Sequence, residues 1–470
     1  MKRILGWFAG FFLFGAVALA TAQQAAPPAS TPPPAKPATA EFYRAADEVL
    51  EEVSRLLSLP VKAPLKKSIR NRQEIRDYVL RHFQEEREPA KRYADQKALE
   101  KFGLIPRGFA LEAFLVELLT EQIAGLYDPK GKEFFIADWI GLDEQRMVMA
   151  HELTHALHDQ HFNLDAWLRA ARPNDDALMA RGALLEGAAV GAMIDYLLRG
   201  PAGGGVSVRD LPGIEQFVGQ HLLGDLEKNP QLAKAPPYIR DALLFPYLAG
   251  TSFTQRVLRA RSGWADFHKV FGNPPVSTQQ ILHPDLYLAG IAPRRVSLPD
   301  FSPLLPPGWR LLDENIAGEF GMHGILKQFL GEERAARLSP AWAGDRYAIF
   351  EHEKTKEVIL VFRLRLESVE DAARLFGNLS EALELKYPRR KELFRRPNFF
   401  SFSTDERGVF LKCVADECLT VEGTDRAAYD KITRAIGWPP APRPPARKPQ
   451  RSVVTVMAAV SCGTGIPACP

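Results

Sequence analysis

The chain has 470 residues, with 60 Lys and Arg against 57 Asp and Glu, for a formal net charge of +3. This balance, without a basic stripe interleaved with aromatics, argues against a nucleic-acid partner. A single core rarely exceeds roughly 250–300 residues, so two domains are expected, and 46% hydrophobic and 25% charged residues are globular values.

Lys2 and Arg3 form a short positive end, residues 4–19 are apolar, and Ala20-Thr21-Ala22 offers small residues where a signal peptidase reads. This predicts a signal peptide over 1–22 and an exported protein, periplasmic or extracellular. The alternative is an uncleaved anchor, because the apolar run approaches the ~20 residues of a membrane helix. No cysteine lies nearby to take a lipid, and no later segment reads as a membrane span. Residues 23–40 are a Pro/Ala-rich linker, expected to be disordered.

From Glu41, apolar residues at three- and four-residue spacing (Phe42, Ala45, Ala46, Val49, Val53, Leu56, Leu57) predict a helix. Further helices are expected near 73–87 and 109–126, then a turn at Tyr127-Asp128-Pro129-Lys130-Gly131 and a short strand over 133–137. Helices follow near 143–160 and 176–199, and residues 201–300 read as shorter helices broken by Gly and Pro. From about 340 the pattern changes to strands near 347–350 and 358–362, a helix near 368–386, strands near 399–403, 408–414 and 418–422, and a helix near 425–436. The expected class is α+β: a mainly helical domain over 41–320 and a smaller α+β sheet domain over 340–438, divided near Pro303, Pro306 and Pro307. A disordered Pro/Arg-rich tail is expected over 439–470. Of the four cysteines, Cys413 and Cys418 flank a plausible hairpin turn and can pair in an exported protein, whereas Cys462 and Cys469 lie in the tail.

Residues 151–155 read His-Glu-Leu-Thr-His. On a helix, positions i and i+4 lie about 40° apart around the axis, so both imidazoles can converge on one ion. Zinc suits imidazole nitrogen and takes four ligands, one of them exchangeable in a catalytic site. Glu152 projects beside that place, where a carboxylate can take a proton from an attacking water and pass it to a leaving amine. Apolar neighbours at 147–150 and 156–157 put the motif on a buried helix. The bland reading is two satisfied histidines and a surface glutamate.

The third ligand is sought on the helix over 177–198, apolar nearly all round and therefore buried. Glu186 sits in its middle among Gly182, Ala183, Gly187 and Ala189, small residues that admit another helix. A buried carboxylate there needs a cation or a basic partner. Asp195, on another face, is a candidate for a supporting contact or salt bridge. The rival ligand is His161, ten residues after His151, as in HExxHxxGxxH peptidases. That arrangement needs a Gly where this chain has His158. On a continuing helix His161 lies roughly 15 Å along the axis from His151. Glu186 is therefore preferred, with His158 and His161 read as polar residues at a helix end, where positive charge is favoured.

Residues 150–157 (Ala-His-Glu-Leu-Thr-His-Ala-Leu), followed by Leu184-Leu185-Glu186-Gly187-Ala188-Ala189, resemble the HExxH-plus-Glu, gluzincin-type metallopeptidases to which thermolysin belongs. They are closer still to a set of largely uncharacterised secreted bacterial proteins. The shared pieces are Gly125-Leu126-Tyr127-Asp128-Pro129, Phe245-Pro246-Tyr247 with Gly250, the run from Ser277 to Pro284, and Gly344-Asp345-Arg346-Tyr347, so that the likeness spans roughly 110–350. It implies a zincin-like fold, one Zn2+ per chain held by His151, His155 and Glu186, Glu152 as general base, and a peptide or protein substrate. The chain departs from thermolysin-like enzymes at Val190, where they carry an Asp that orients a ligand histidine. An oxyanion-stabilising group is also expected, with His283, Tyr247, Tyr287 and His221 as candidates. The alternative function is a zinc-binding but inactive scaffold whose sheet domain binds a partner.

Overall fold

The computed structural model describes residues 39–442, except 87, 123–124, 140, 200–205, 215, 217 and 220–229. The signal segment, most of the linker, His221, Cys462, Cys469 and the tail beyond 442 lie outside the described residues. The chain is α+β, a helical region followed by a seven-stranded antiparallel sheet.

The helical region opens with α1 (Thr39–Leu57), which starts two residues inside the expected linker and buries Phe42, Ala45, Ala46, Val49, Leu50, Val53, Leu56 and Leu57 on one stripe. Then come β1 (Lys66–Arg70), α2 (Arg72–Glu86), α3 (Pro89–Phe102) and α4 (Leu111–Gln122). The helix expected to run to 126 stops earlier, because Gly125–Asp128 is a strand, β2, paired antiparallel with β3 (Glu133–Ala137). The turn signal therefore belongs to the β2–β3 hairpin. β1 runs parallel to β3 on its other side, which leaves β2 at the edge of a three-stranded sheet. α5 (Leu142–Phe162), a short α6 (Leu164–Arg169) and α7 (Asp175–Arg199) follow, and later α8 (Pro237–Ala260).

α7 corrects one expectation. By length and composition it could cross a membrane, yet 94% of its most apolar window is buried in the protein, as for a core helix. Its crossing with α8 is very close. A Cβ on Gly187 would stand 2.0 Å from the Gly250 carbonyl carbon, and one on Gly250 would stand 2.0 Å from the Ala183 oxygen. Small residues at both positions are thus a steric requirement.

The large sheet begins at β4 (Trp309–Asn315), ahead of the expected start at 340. α9 (Gly318–Leu330) and a short helix intervene before β5 (Trp342–His352) and β6 (Val358–Leu366), then α10 (Val369–Lys386), β7 (Lys391–Arg396), β8 (Phe399–Thr404), β9 (Arg407–Val414), β10 (Glu417–Thr424) and α11 (Arg426–Ala435). The strand order is β4-β5-β6-β10-β9-β8-β7. Alternation sends Ile349, Leu360 and Phe362 to the core shared with the helical region, and Ala348, Phe350, Ile359 and Val361 to a second core under α11. The two regions therefore share one continuous core. A disulfide joins Cys413 and Cys418 across the β9–β10 hairpin. The first residues of the expected tail are packed: Ala441 is buried, and the carbonyls of Ala441 and Pro442 accept from Arg426.

Two of the shared sequence pieces form the joint between the regions. Thr278 donates to Asp176 through both its backbone N–H (2.9 Å) and its hydroxyl (2.5 Å). Asp345 accepts from the N–H groups of Ala317 and Gly318, both at 2.8 Å, at the start of α9. Gly318 has φ +74°, and a Cβ there would lie 1.9 Å from the Asp176 carboxylate. Beside this joint, Lys91 of α3 is buried with its Nζ 2.5 Å from Asp95, 2.7 Å from Asp313 and 3.9 Å from Asp175.

Candidate metal centre

α5 carries the HExxH motif on a helix buried almost throughout that stretch: Val148, Met149, Ala150, Leu153, Ala156 and Leu157 are all core residues. His151 and His155 project from one face, and α7 brings Glu186 opposite them. His151 Nε2 lies 3.2 Å from His155 Nε2 and 3.2 Å from Glu186 Oε2, and His155 Nε2 lies 3.7 Å from the same oxygen. Tetrahedral donors about 2.0–2.1 Å from a zinc ion stand about 3.3–3.4 Å apart. The three side chains, all buried, therefore present a donor set of the right chemistry and spacing for one zinc ion.

The electrostatics agree. Burial alone would raise the Glu186 carboxyl, but the imidazoles of His155 and His151 outweigh it and hold it down at about 2. Burial pushes the His155 imidazole down to about 4, against the pull of Glu186. The bland reading of Glu186, a carboxylate paired with an arginine or lysine, does not describe its surroundings: its neighbours are the two histidines.

Glu152 is fully buried beside the triad, and its Oε2 accepts the backbone N–H of Tyr127 at 2.8 Å. Of the oxyanion candidates, the fold brings Tyr247 to the site. It lies one turn before Gly250, so the tight α7–α8 crossing sets it against Glu186. Its ring stacks on His151 with centroids 6.4 Å apart, and its phenol hydrogen-bonds the Glu186 carboxylate. Burial, with the charges of Glu186 and Glu152, pushes that phenol well above its usual range, so it keeps its proton and can donate. His283 instead pairs with Glu319 at 2.9 Å, and Tyr287 donates to the Asn273 carbonyl at 2.8 Å.

The remaining candidates go elsewhere. α5 runs unbroken to Phe162, and His161 Nε2 bonds the Pro60 carbonyl at 2.8 Å, away from the triad. His158 is not a charged residue at a helix end. It is fully buried, its Nε2 3.3 Å from that of His268, with Phe162 and Phe271 packed around the pair. Burial, with His268 beside it, drives its pKa well down. Asp195 ties down the 207–208 segment and Trp264 through Ser207 Oγ (3.1 Å), the Val208 N–H and Trp264 Nε1 (2.8 Å), and so does not orient a ligand histidine.

Residues 309–433 match a family described as a domain of unknown function (DUF8575). The match runs from β4 to α11 and excludes the triad. No curated protein and no solved structure matches the chain.

Two residues at the site escaped the sequence reading. Asp159 is buried and accepts the Tyr127 hydroxyl at 2.7 Å. Its spacing was a usable signal, because an acid seven residues after Glu152 lies two turns along nearly the same helix face. The second escaped residue, Tyr127, lies within a shared sequence piece, but only its strand geometry gives it a contact with Glu152.

Proposed function

We propose that the chain is an exported zinc-dependent peptidase of zincin-like, gluzincin-type architecture, with His151, His155 and Glu186 as metal ligands and Glu152 as general base. The observation that carries this reading is the triangle of two imidazole nitrogens and one carboxylate oxygen, 3.2–3.7 Å on a side, with a second carboxylate one residue along the same helix.

When bound, zinc supplies Lewis-acid polarisation of the scissile carbonyl and activation of water. The chain's own groups do the rest. Glu152 receives the proton of the attacking water on its carboxylate and delivers it to the leaving amine nitrogen. Tyr247 keeps its proton and turns its one hydroxyl hydrogen from the Glu186 carboxylate to the oxygen that gains charge. His151, His155 and Glu186 stay fixed by the packing of α5, α7 and α8, so no reorganisation is needed at the moment of reaction.

A second reading is favoured by one observation: His151, Glu152, His155 and Glu186 are each at most 1% exposed. A closed metal centre of this kind also suits a structural role in an inactive scaffold. One experiment separates the two. Zinc-loaded wild type should hydrolyse an unfolded protein substrate, and Glu152→Gln should keep the metal while losing about 100-fold or more in kcat, because an amide cannot accept the water's proton. Equal activity in the two proteins would remove Glu152 from the mechanism, and zinc binding without hydrolysis in wild type would favour the scaffold.

A further inference from the structure

The HExxH helix is gripped by one residue of the neighbouring strand in two ways. β2 pairs only with β3, so the N–H of Tyr127, which is not part of that ladder, points outward from the sheet edge and donates to Glu152 Oε2 at 2.8 Å. The Tyr127 side chain reaches along the same helix and donates its hydroxyl to Asp159 Oδ2 at 2.7 Å. Asp159 is itself fixed: its other oxygen accepts the Leu164 N–H at 2.9 Å, and Lys132 pairs with it. The approach depends on Gly125, where a Cβ would stand 2.5 Å from Val148 Cγ1 and 3.6 Å from Glu152 Cγ.

We propose that Tyr127 is a positioning residue for Glu152: its backbone N–H orients the carboxylate, and its phenol, anchored on Asp159, fixes the strand that carries that N–H. The inference rests on the reading of Glu152 as general base. With Oε2 held by the amide, rotation of the carboxylate is restrained. Proton transfer is sensitive to placement, and a displacement of about 1 Å can cost about 100-fold. Asp159 and Tyr127 touch neither substrate nor metal in this scheme. They act through Glu152.

The test uses the full-length protein with Tyr127→Phe and Gly125→Ala. In the metal-free protein, hydrogen–deuterium exchange at the Tyr127 amide should rise in both variants and in Glu152→Ala. In the zinc-loaded protein, Tyr127→Phe should lower kcat roughly 10- to 100-fold, with KM and zinc affinity within about twofold of wild type. The inference is overturned if Tyr127→Phe matches wild type in both kcat and amide exchange. It is equally overturned if kcat and zinc affinity fall together, since that marks a merely structural tyrosine. A wild type that binds zinc and hydrolyses nothing would sink the peptidase reading instead. In that case unchanged exchange at Tyr127 in Glu152→Ala would show that the amide does not hold the carboxylate, and would overturn the positioning role on its own evidence.

Discussion

Two buried clusters in this protein each gather three metal-ligating side chains, and they solve the same electrostatic problem in opposite ways. Asp95, Asp175 and Asp313, at the joint with the large sheet, surround the ammonium of Lys91. The three carboxylates outweigh the cost of burying that lysine and raise its pKa. His151, His155 and Glu186, in the helical region, converge with similar closeness, yet among the described residues no lysine or arginine stands with them. Where the fold needs only a neutralised acid cluster, the chain supplies its own cation. At the HExxH helix the donors are imidazole and carboxylate, which suits an external one.

The Lys91 ammonium is the more sensitive of the two centres to mutation. Lys91→Met leaves buried carboxylates without their cation and should destabilise the protein by about 3–5 kcal/mol in chemical denaturation. Adding Asp313→Asn should recover part of that loss. If Lys91→Met is neutral, the cluster is not held by its ammonium, and the contrast with the histidine site loses its meaning.

A smaller effect separates the two regions by pH. Burial lowers the His268 imidazole to about 4 and lowers His158 further from its usual value. A histidine kept neutral by the fold leaves stability intact above its unfolded pKa of about 6.5. That stability is lost as pH falls toward the folded value, by up to about 1.4 kcal/mol per pH unit for each imidazole. At the joint the sign reverses. Burial raises Asp176 to about 7 and Asp345 to about 6. Their stabilising contribution is present below the unfolded pKa of about 3.9 and is lost as pH rises through those folded values. Denaturation midpoints measured from pH 4 to 8 should therefore show less acid loss in His268→Phe and less loss toward neutrality in Asp176→Asn. Parallel profiles for wild type and both variants would refute the assignment.

The class of fold and the triad were legible because their signals are local. Periodicity placed the helices bearing His151, His155 and Glu186, and an acid isolated on an apolar helix stood out as the candidate to join the two histidines. Strands β1 and β2 were not legible. Lys66–Arg70 is mostly polar and half-buried, and Gly125–Asp128 is four residues long, so pairing with β3 defines both. The start of the large sheet was missed because β4 is exposed on several positions and separated from β5 by two helices. Choosing Tyr247 over His283 and Tyr287 required the Gly187–Gly250 crossing, a contact between residues 63 positions apart that sequence spacing cannot reveal. Nor does spacing reveal that the run from Ser277 to Pro284, which holds the oxyanion candidate His283, ties the two regions together through Asp176 and Trp342.

Equilibrium zinc titration of wild type, Glu186→Ala and His161→Ala decides whether Glu186, rather than His161, joins the two histidines in holding the metal. Wild type should bind one zinc per chain, Glu186→Ala should bind it about 100-fold or more weakly, and His161→Ala should stay within about twofold of wild type. Tight zinc binding by Glu186→Ala, with loss in His161→Ala, would contradict the Glu186 assignment.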